Sequence, residues 1–272
     1  MKDILTILQK APLLKAMSAS AEQYLLFLAR LSHSDIHQTP HASWMINTMA
    51  DIWFNSVIYA SFPKKSAENE ISEIIKDYEK SQKSFTWLVT SLSQPDNLSE
   101  LLIAQGMKQE EGSNLPYMAI DLQEIPENLP VSPGFEIKIC NTPSLMRSWL
   151  HIYALEFPDL VRTLILENQY QQNPEQESQM QFYLGLLHGE PVAISMYLLS
   201  NGVAGIYSAK TLKHARRRGI GSLMVVVPLL DARQKGYRVG VLGASQIGYH
   251  LYQQLGFQEY VRLSLFTKEI NV

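Results

Sequence analysis

The chain has 272 residues, 46% of them apolar, with 23 basic and 26 acidic side chains and a formal net charge of −3. That length suits two domains of roughly 100–150 residues, and the charge excludes both the broad basic field of a nucleic-acid binder and the acidic tract of a disordered tail. The only cysteine, Cys140, excludes an intramolecular disulfide and a cysteine-built zinc site, as in a reducing compartment. No apolar run approaches the ~20 residues that span a bilayer, so a cytoplasmic address without membrane or nucleic-acid partners is expected.

The first seventeen residues, with an acid and several polar breaks, read as an amphipathic helix and not as a secretion signal. Up to about Lys83 the pattern is mostly helical: Leu25, Leu26, Leu28 and Ala29, then Ile71, Ile74, Ile75 and Tyr78, recur at spacings of three and four. Residues 84–90 (SFTWLVT) are aromatic and β-branched and predict a strand. Asn97 and Glu100 form a capping pair that opens a helix to Gln105, and Gly106 stops it. Residues 118–122 predict another strand. The segment 124–134 holds three prolines, and proline-rich chain is extended and stiff. It sets a boundary near 130, between domains 1–130 and 131–272.

Beyond it, 135–139 alternates as a strand, and 143–157 and 160–172 read as helices. Three antiparallel strands follow over 180–187, 191–199 and 203–208, with turns near Gly189 and Gly202. A helix then begins at 219–221, with Ile220, Leu223, Met224, Val227 and Leu230 on its apolar face. Pro228 interrupts its hydrogen bonding, and Lys235 and Gly236 end it. A strand over 239–244, a helix capped by Ser245 and running to Leu255, and a final strand or strand pair over 258–268 follow. Residues 84–122 and 239–269 share a strand–helix–strand form, an internal repeat. Twelve of the fourteen glycines lie at or after Gly134, so the first copy has no glycine-rich loop before it. One cofactor per chain is expected.

The chemistry centres on Arg216, Arg217, Arg218, Gly219, Ile220 and Gly221, between a strand and a helix. The first amides of a helix have no internal partner and carry the positive end of its dipole, an anion site. Glycines at 219 and 221 let a pyrophosphate approach the backbone, Ser222 adds a hydroxyl, and the arginines add charge. A dinucleotide fingerprint needs a third glycine where Met224 stands, and a Walker loop needs Gly-Lys-Ser/Thr, which is absent.

The stretch from Thr211 to Phe257 resembles the GNAT superfamily of N-acetyltransferases. The family's Arg/Gln-x-x-Gly-x-Gly/Ala motif matches Arg216 to Gly221, and its Tyr-x-x-x-Gly-Phe signature matches Tyr252 to Phe257. The resemblance covers about 135–272, and the N-terminal half resembles a diverged partial copy, as in two-lobed members. It implies an α/β (α+β) fold with a mixed central sheet flanked by helices, preceded by a lobe of helices and a partial strand–helix–strand copy.

It also implies acetyl-CoA as acyl donor, an amine on a small molecule, peptide or protein as acceptor, and direct attack of that amine in a ternary complex. Backbone groups of Ala209, Lys210, Thr211 and Leu212 would hold the pantetheine arm and polarise the thioester. Ser245, Gly248, Tyr249 and Tyr252 share a predicted helix face beside the cofactor. Tyr252 takes the position of the family's general acid toward the departing thiolate, and Tyr249 reads as a cofactor wall. The general base stays open: Glu156 is one candidate, with His151 and Asp159 close by. His33 and His37 lack a further ligand cluster, so no metal is expected. A catalytically silent acyl-CoA sensor or scaffold stands as the alternative, and a homodimer as an open arrangement.

Overall fold

The structure, a computed structural model, describes residues 4–6, 8–49, 52–110, 114–156, 158 and 179–270. The expected helix over 160–172 lies outside them. Two compact units emerge, unit 1 from Met1–Ser20 and Pro116–Tyr260, and unit 2 from Ala21–Leu115 and Val261–Val272. Residue 130, at the proline-rich linker, lies inside unit 1. Helix α1 (Lys10–Leu31) contributes to both.

Unit 2 is more β-rich than its sequence predicts. Strands β1 (Asp35–Gln38), β2 (Ala42–Ile46) and β3 (Ser56–Ala60) occupy a stretch expected to be helical. Alternation could not reveal β2, because four consecutive residues from Ala42 are buried. Helix α2 (Ala67–Lys80) buries Ile71, Ile74, Ile75 and Tyr78, the face read from the sequence. Its Tyr78 stacks on Phe85 at 4.0 Å and donates its hydroxyl to the Met45 carbonyl. Strand β4 (Phe85–Val89) runs parallel to β3. In α3 (Leu98–Ala104) Asn97 occupies the cap position but makes no side-chain capping bond, so the expected capping pair does not form. The sheet order is β1-β2-β3-β4-β12, where β12 is Gln258–Lys268 and β5 (Lys108–Gln109) pairs its other edge.

Unit 1 carries the sheet β6-β11-β10-β9-β8-β7. These are β6 (Leu115–Asp121), β7 (Phe135–Ile139), β8 (Met180–Leu187), β9 (Glu190–Ser200), β10 (Val203–Thr211) and β11 (Val239–Gly243). Only β10 and β11 are parallel neighbours among these pairs. Helix α4 (Pro143–Tyr153) is capped by the Thr142 hydroxyl, starts on Pro143 and ends four residues short of expectation. Its Trp149 meets Phe182 edge-on.

Helix α5 (Ile220–Gln234) lies on the opposite face, where the Tyr183 hydroxyl reaches Asp231. Adjacent strand residues point to opposite sides, so Phe182 and Tyr183 fix the two faces. Val225, Val226 and Leu229 are buried alongside Ile220, Leu223 and Met224, while Val227 and Leu230 are only half-buried. The helix is apolar almost all round, which is why a single stripe could not be read correctly. Cys140 is 2% exposed, and burial pushes its thiol up to about 12. At pH 8 it is expected to react with an aromatic disulfide reagent only as fast as the fold opens. Rapid stoichiometric labelling of the native protein would contradict this.

The repeated strand–helix–strand copies exchange their closing strands. Strand β6, which ends the first copy, pairs antiparallel with β11 of the second, Tyr117 facing Gly243 and Asp121 facing Val239. Strand β12, which ends the second, pairs with β4 of the first, Ser264 facing Val89 and Lys268 facing Phe85. A doubly hydrogen-bonded Arg238–Asp121 pair, at 2.5 and 2.7 Å, fixes the end of β6. The Arg238 bonds hold the Asp121 carboxyl below its usual range. That contribution is present above the unfolded carboxylate pKa and is lost as pH falls through the folded one. A fragment of residues 131–272 lacks β6. It is expected to aggregate or lose near-UV circular dichroism, because β11 keeps an open edge and Met118, Ile120 and Leu122 leave the core. A monodisperse fragment with native near-UV signal would refute this.

Candidate functional site

All expected site residues that the structure describes fall in unit 1. Strands β10 and β11 pair only from Ala204–Gly240 to Ile206–Leu242, yet β10 runs on to Thr211. Along β9 the register passes from Tyr207–Met196 to Lys210–Ile194, so Ser208 and Ala209 together oppose one residue, Ser195. This is a β-bulge, with Ser208 in the left-handed region at φ 53°. The bulge extends β10 beyond the expected end at Ser208 and turns exposed Ala209 and half-buried Lys210 and Thr211 past the last β11 pair. The Leu212 amide donates to the Val192 carbonyl at 2.9 Å, so of the four expected pantetheine contacts this N–H is already engaged.

A 3₁₀ turn at Lys213–Ala215 leads from β10 into the arginine–glycine loop. Arg216 Nε donates to the Thr211 carbonyl at 3.0 Å and closes the loop on itself. Arg217 is left-handed at φ 63°, Arg218 is exposed, and Gly219 caps α5 at φ 74°. The first ladder bond of α5 runs from the Leu223 amide to the Gly219 carbonyl, so the amides of Ile220, Gly221 and Ser222 precede the ladder at the helix start. A side-chain carbon at Gly221 would stand 3.2 Å from Leu251 Cδ1 and 3.8 Å from Thr211 Oγ1. Gly221 is therefore the meeting point of α5, the end of β10 and α6 (Tyr249–Gln254).

Helix α6 begins at Tyr249, three residues later than a helix capped by Ser245 would. Ser245 forms the preceding turn, accepting the Gly248 amide on Oγ at 3.2 Å and the Tyr249 amide on its carbonyl at 3.0 Å. Ser245 and Gly248 thus precede the helix, leaving only Tyr249 and Tyr252 of the expected face within it. Tyr249 donates its hydroxyl to Glu259 at 2.9 Å. Tyr252 is 9% exposed, and burial raises its phenol above the ordinary value. Its ring lies over Gly248, where an added carbon would meet Tyr252 Cε2 at 2.8 Å and its hydroxyl at 3.1 Å. The phenol oxygen is thereby held at the turn after β11.

Of the base candidates, Glu156 is ion-paired with Lys210 at 3.3 Å, His151 is exposed, and Asp159 lies outside the described residues. A hydroxyl cluster beside the bulge has no signature in the residue spacing. Tyr207 lies 3.0 Å from Ser20 Oγ and 3.4 Å from the Tyr117 hydroxyl, and Ser200 donates to Ser20 at 3.3 Å. Gly205 makes it possible, since a carbon there would stand 2.5 Å from the Tyr207 ring. No group of three metal-ligating side chains occurs among the described residues, and no described helix is long and apolar enough to cross a membrane.

Residues 183–266 match the family described as FR47-like protein. No curated protein matches the sequence. Among solved structures, a GCN5-related N-acetyltransferase from Kribbella flavida superposes with a TM-score of 0.67 at 16% identity, over 91% of this chain and 95% of that one. A tandem GNAT protein from the clavulanic acid biosynthesis pathway gives 0.65 at 11% identity, over 93% and 96%. A GCN5-related N-acetyltransferase from Sphaerobacter thermophilus gives 0.60 at 18% identity, over 95% and 92%. The mixed α/β fold read from the sequence is the fold of these proteins, in both halves of the chain.

Proposed function

We propose that this chain, a member of the GNAT superfamily, is an N-acetyltransferase that moves the acetyl group of acetyl-CoA onto an amine. The observation that carries this reading is the parting of β10 from β11 beside a glycine-capped helix start. A parting of parallel strands leaves backbone polar groups without a strand partner, which a pantetheine amide can bond. The helix start beside it suits the pyrophosphate, with Arg217 and Arg218 supplying charge. Unit 2 repeats the parallel pair in β3 and β4, but its connection runs through Phe62, Pro63 and Ser66 without a glycine. One cofactor per chain follows.

In the reaction the neutral amine nitrogen attacks the thioester carbon and the carbon–sulfur bond breaks. The nitrogen releases its proton to water, and the thiolate takes one. Backbone dipoles of Ala209, Lys210 and Thr211 oppose the charge developing on the carbonyl oxygen. Tyr252 is the donor to the thiolate: burial keeps its phenol protonated at neutral pH, and Gly248 leaves room for it.

Thiol release from acetyl-CoA across a panel of amines, with calorimetry of acetyl-CoA binding, tests this. Tyr252→Phe is expected to keep acetyl-CoA affinity and lower kcat by roughly 10–100-fold. Binding without turnover on any amine would favour the silent sensor, and absence of binding would end the acyl-CoA reading.

A further inference from the structure

A bulge is a defect in a ladder, and something must hold it in one shape. On the β9 side the single residue facing the bulge is Ser195, which is fully buried. Its hydroxyl has no hydrogen-bond partner, so the side chain does nothing to fix the position. Its carbonyl instead accepts the indole N–H of Trp149 at 3.1 Å in a buried bond. Trp149 comes from α4, 46 residues earlier in the chain. It is 3% exposed, with its ring edge-on to Phe182 at 5.1 Å and tilted against Tyr153 at 5.0 Å. The ring is held by packing, so the N–H is a fixed donor aimed at the strand opposite the bulge.

We propose that Trp149 is a positioning residue for acyl transfer: its indole N–H, through the Ser195 carbonyl, sets the shape of the Ser208–Ala209 bulge. The inference rests on the acyl-transfer reading above, in which backbone groups past that bulge face the thioester. Their effect depends on aim, and a misplacement of about 1 Å can cost ~100-fold in rate. Pyrophosphate binding on the arginine–glycine loop uses other groups. Loss of the indole N–H is therefore expected in kcat and not in cofactor affinity.

Two variants test it: Trp149→Phe, and replacement of Trp149 by benzothienylalanine, which exchanges N–H for sulfur and keeps the ring volume. The second keeps the test decisive if the first fails to fold. For the sulfur variant, kcat is expected to fall roughly tenfold while KM for acetyl-CoA and Kd for CoA stay within about twofold. Amide hydrogen exchange over residues 208–211 is expected to quicken by about tenfold, with the remainder of unit 1 unchanged.

An unchanged kcat in an active background overturns the proposal, as does an equal loss in kcat and CoA affinity, the mark of general loosening. Unchanged exchange over 208–211 overturns it whether or not any amine is turned over. A wild-type protein that binds no CoA would instead end the acyl-transfer reading.

Discussion

Replacing Gly219 by valine is expected to lower CoA affinity by more than ~100-fold, measured by calorimetry. The position is left-handed, at φ 74°, a region where a β-branched residue is an outlier and an ordinary side chain costs ~1–2 kcal/mol. Packing is not the cause, because the nearest atom to an added carbon is the Pro130 carbonyl oxygen, at 3.5 Å. The loop relieves the strain by turning Gly219, and that rotates the first amides of α5 away from a common anion. Fold stability falls by only that local strain, roughly 2–6 °C in melting temperature. Gly221→Val compresses Leu251 Cδ1, which an added carbon would meet at 3.2 Å, and is expected to weaken binding in the same direction. CoA affinity within about threefold of wild type in both variants would mean that the phosphates are held elsewhere.

Asp231→Ala is expected to be the most damaging single change to stability in unit 1 away from the site. The carboxylate accepts the Tyr183 hydroxyl at 2.6 Å and the Tyr197 hydroxyl at 3.0 Å, and pairs with Lys235 at 3.4 Å. Lys235 also contacts the Tyr197 hydroxyl and sits over its ring at 4.9 Å. Tyr183 and Tyr197 are 1% and 0% exposed, so alanine takes the shared acceptor away from two buried hydroxyl protons. Each unsatisfied buried group costs about 1–3 kcal/mol. The sum, about 2–6 kcal/mol, corresponds to a fall of roughly 4–24 °C in melting temperature. Asp231→Asn keeps an acceptor and is expected to lose less.

Burial, then the neighbouring carboxylate, raises both phenols well above their ordinary value. A raised phenol favours the protonated folded state, so this contribution is whole below about pH 10 and fades as pH rises further. Calorimetric scans should therefore show wild type losing stability above about pH 10 more steeply than Tyr183→Phe. A melting temperature for Asp231→Ala within about 2 °C of wild type would remove this cluster as a structural clamp.

The arginine–glycine junction between strand and helix was legible because its signal is local. Gly219, Gly221 and the arginines lie within six residues, and that short run places a left-handed glycine at the start of α5. Strands β7, β8 and β12 match their expected bounds, since turn residues or sharp changes in polarity border them. What escaped the sequence depends on partners far away in it. The Tyr183–Asp231 and Tyr197–Asp231 bonds join residues 48 and 34 positions apart, and no spacing rule connects them. Ser208 is an unremarkable strand residue until the register shows two residues facing one. Gly248 read as one position on a helix face, and only the structure shows that its lack of a side chain admits the Tyr252 ring. The short strands β1 to β3 gave neither length nor alternation enough to outweigh the helical pattern around them.

The exchange of β6 and β12 also sets a schedule for synthesis. When the ribosome has made residue 115, most of unit 2 exists, including Trp44, Phe85 and Trp87 of its core. Its sheet cannot be completed until Phe266 and its neighbours emerge, about 150 residues later. At ~5–20 residues per second that interval is roughly 8–30 s, during which one edge of β4 has no neighbour. The usual order, in which an N-terminal domain folds before the next is made, is closed to this topology. The two lobes are tandem in sequence but must mature together.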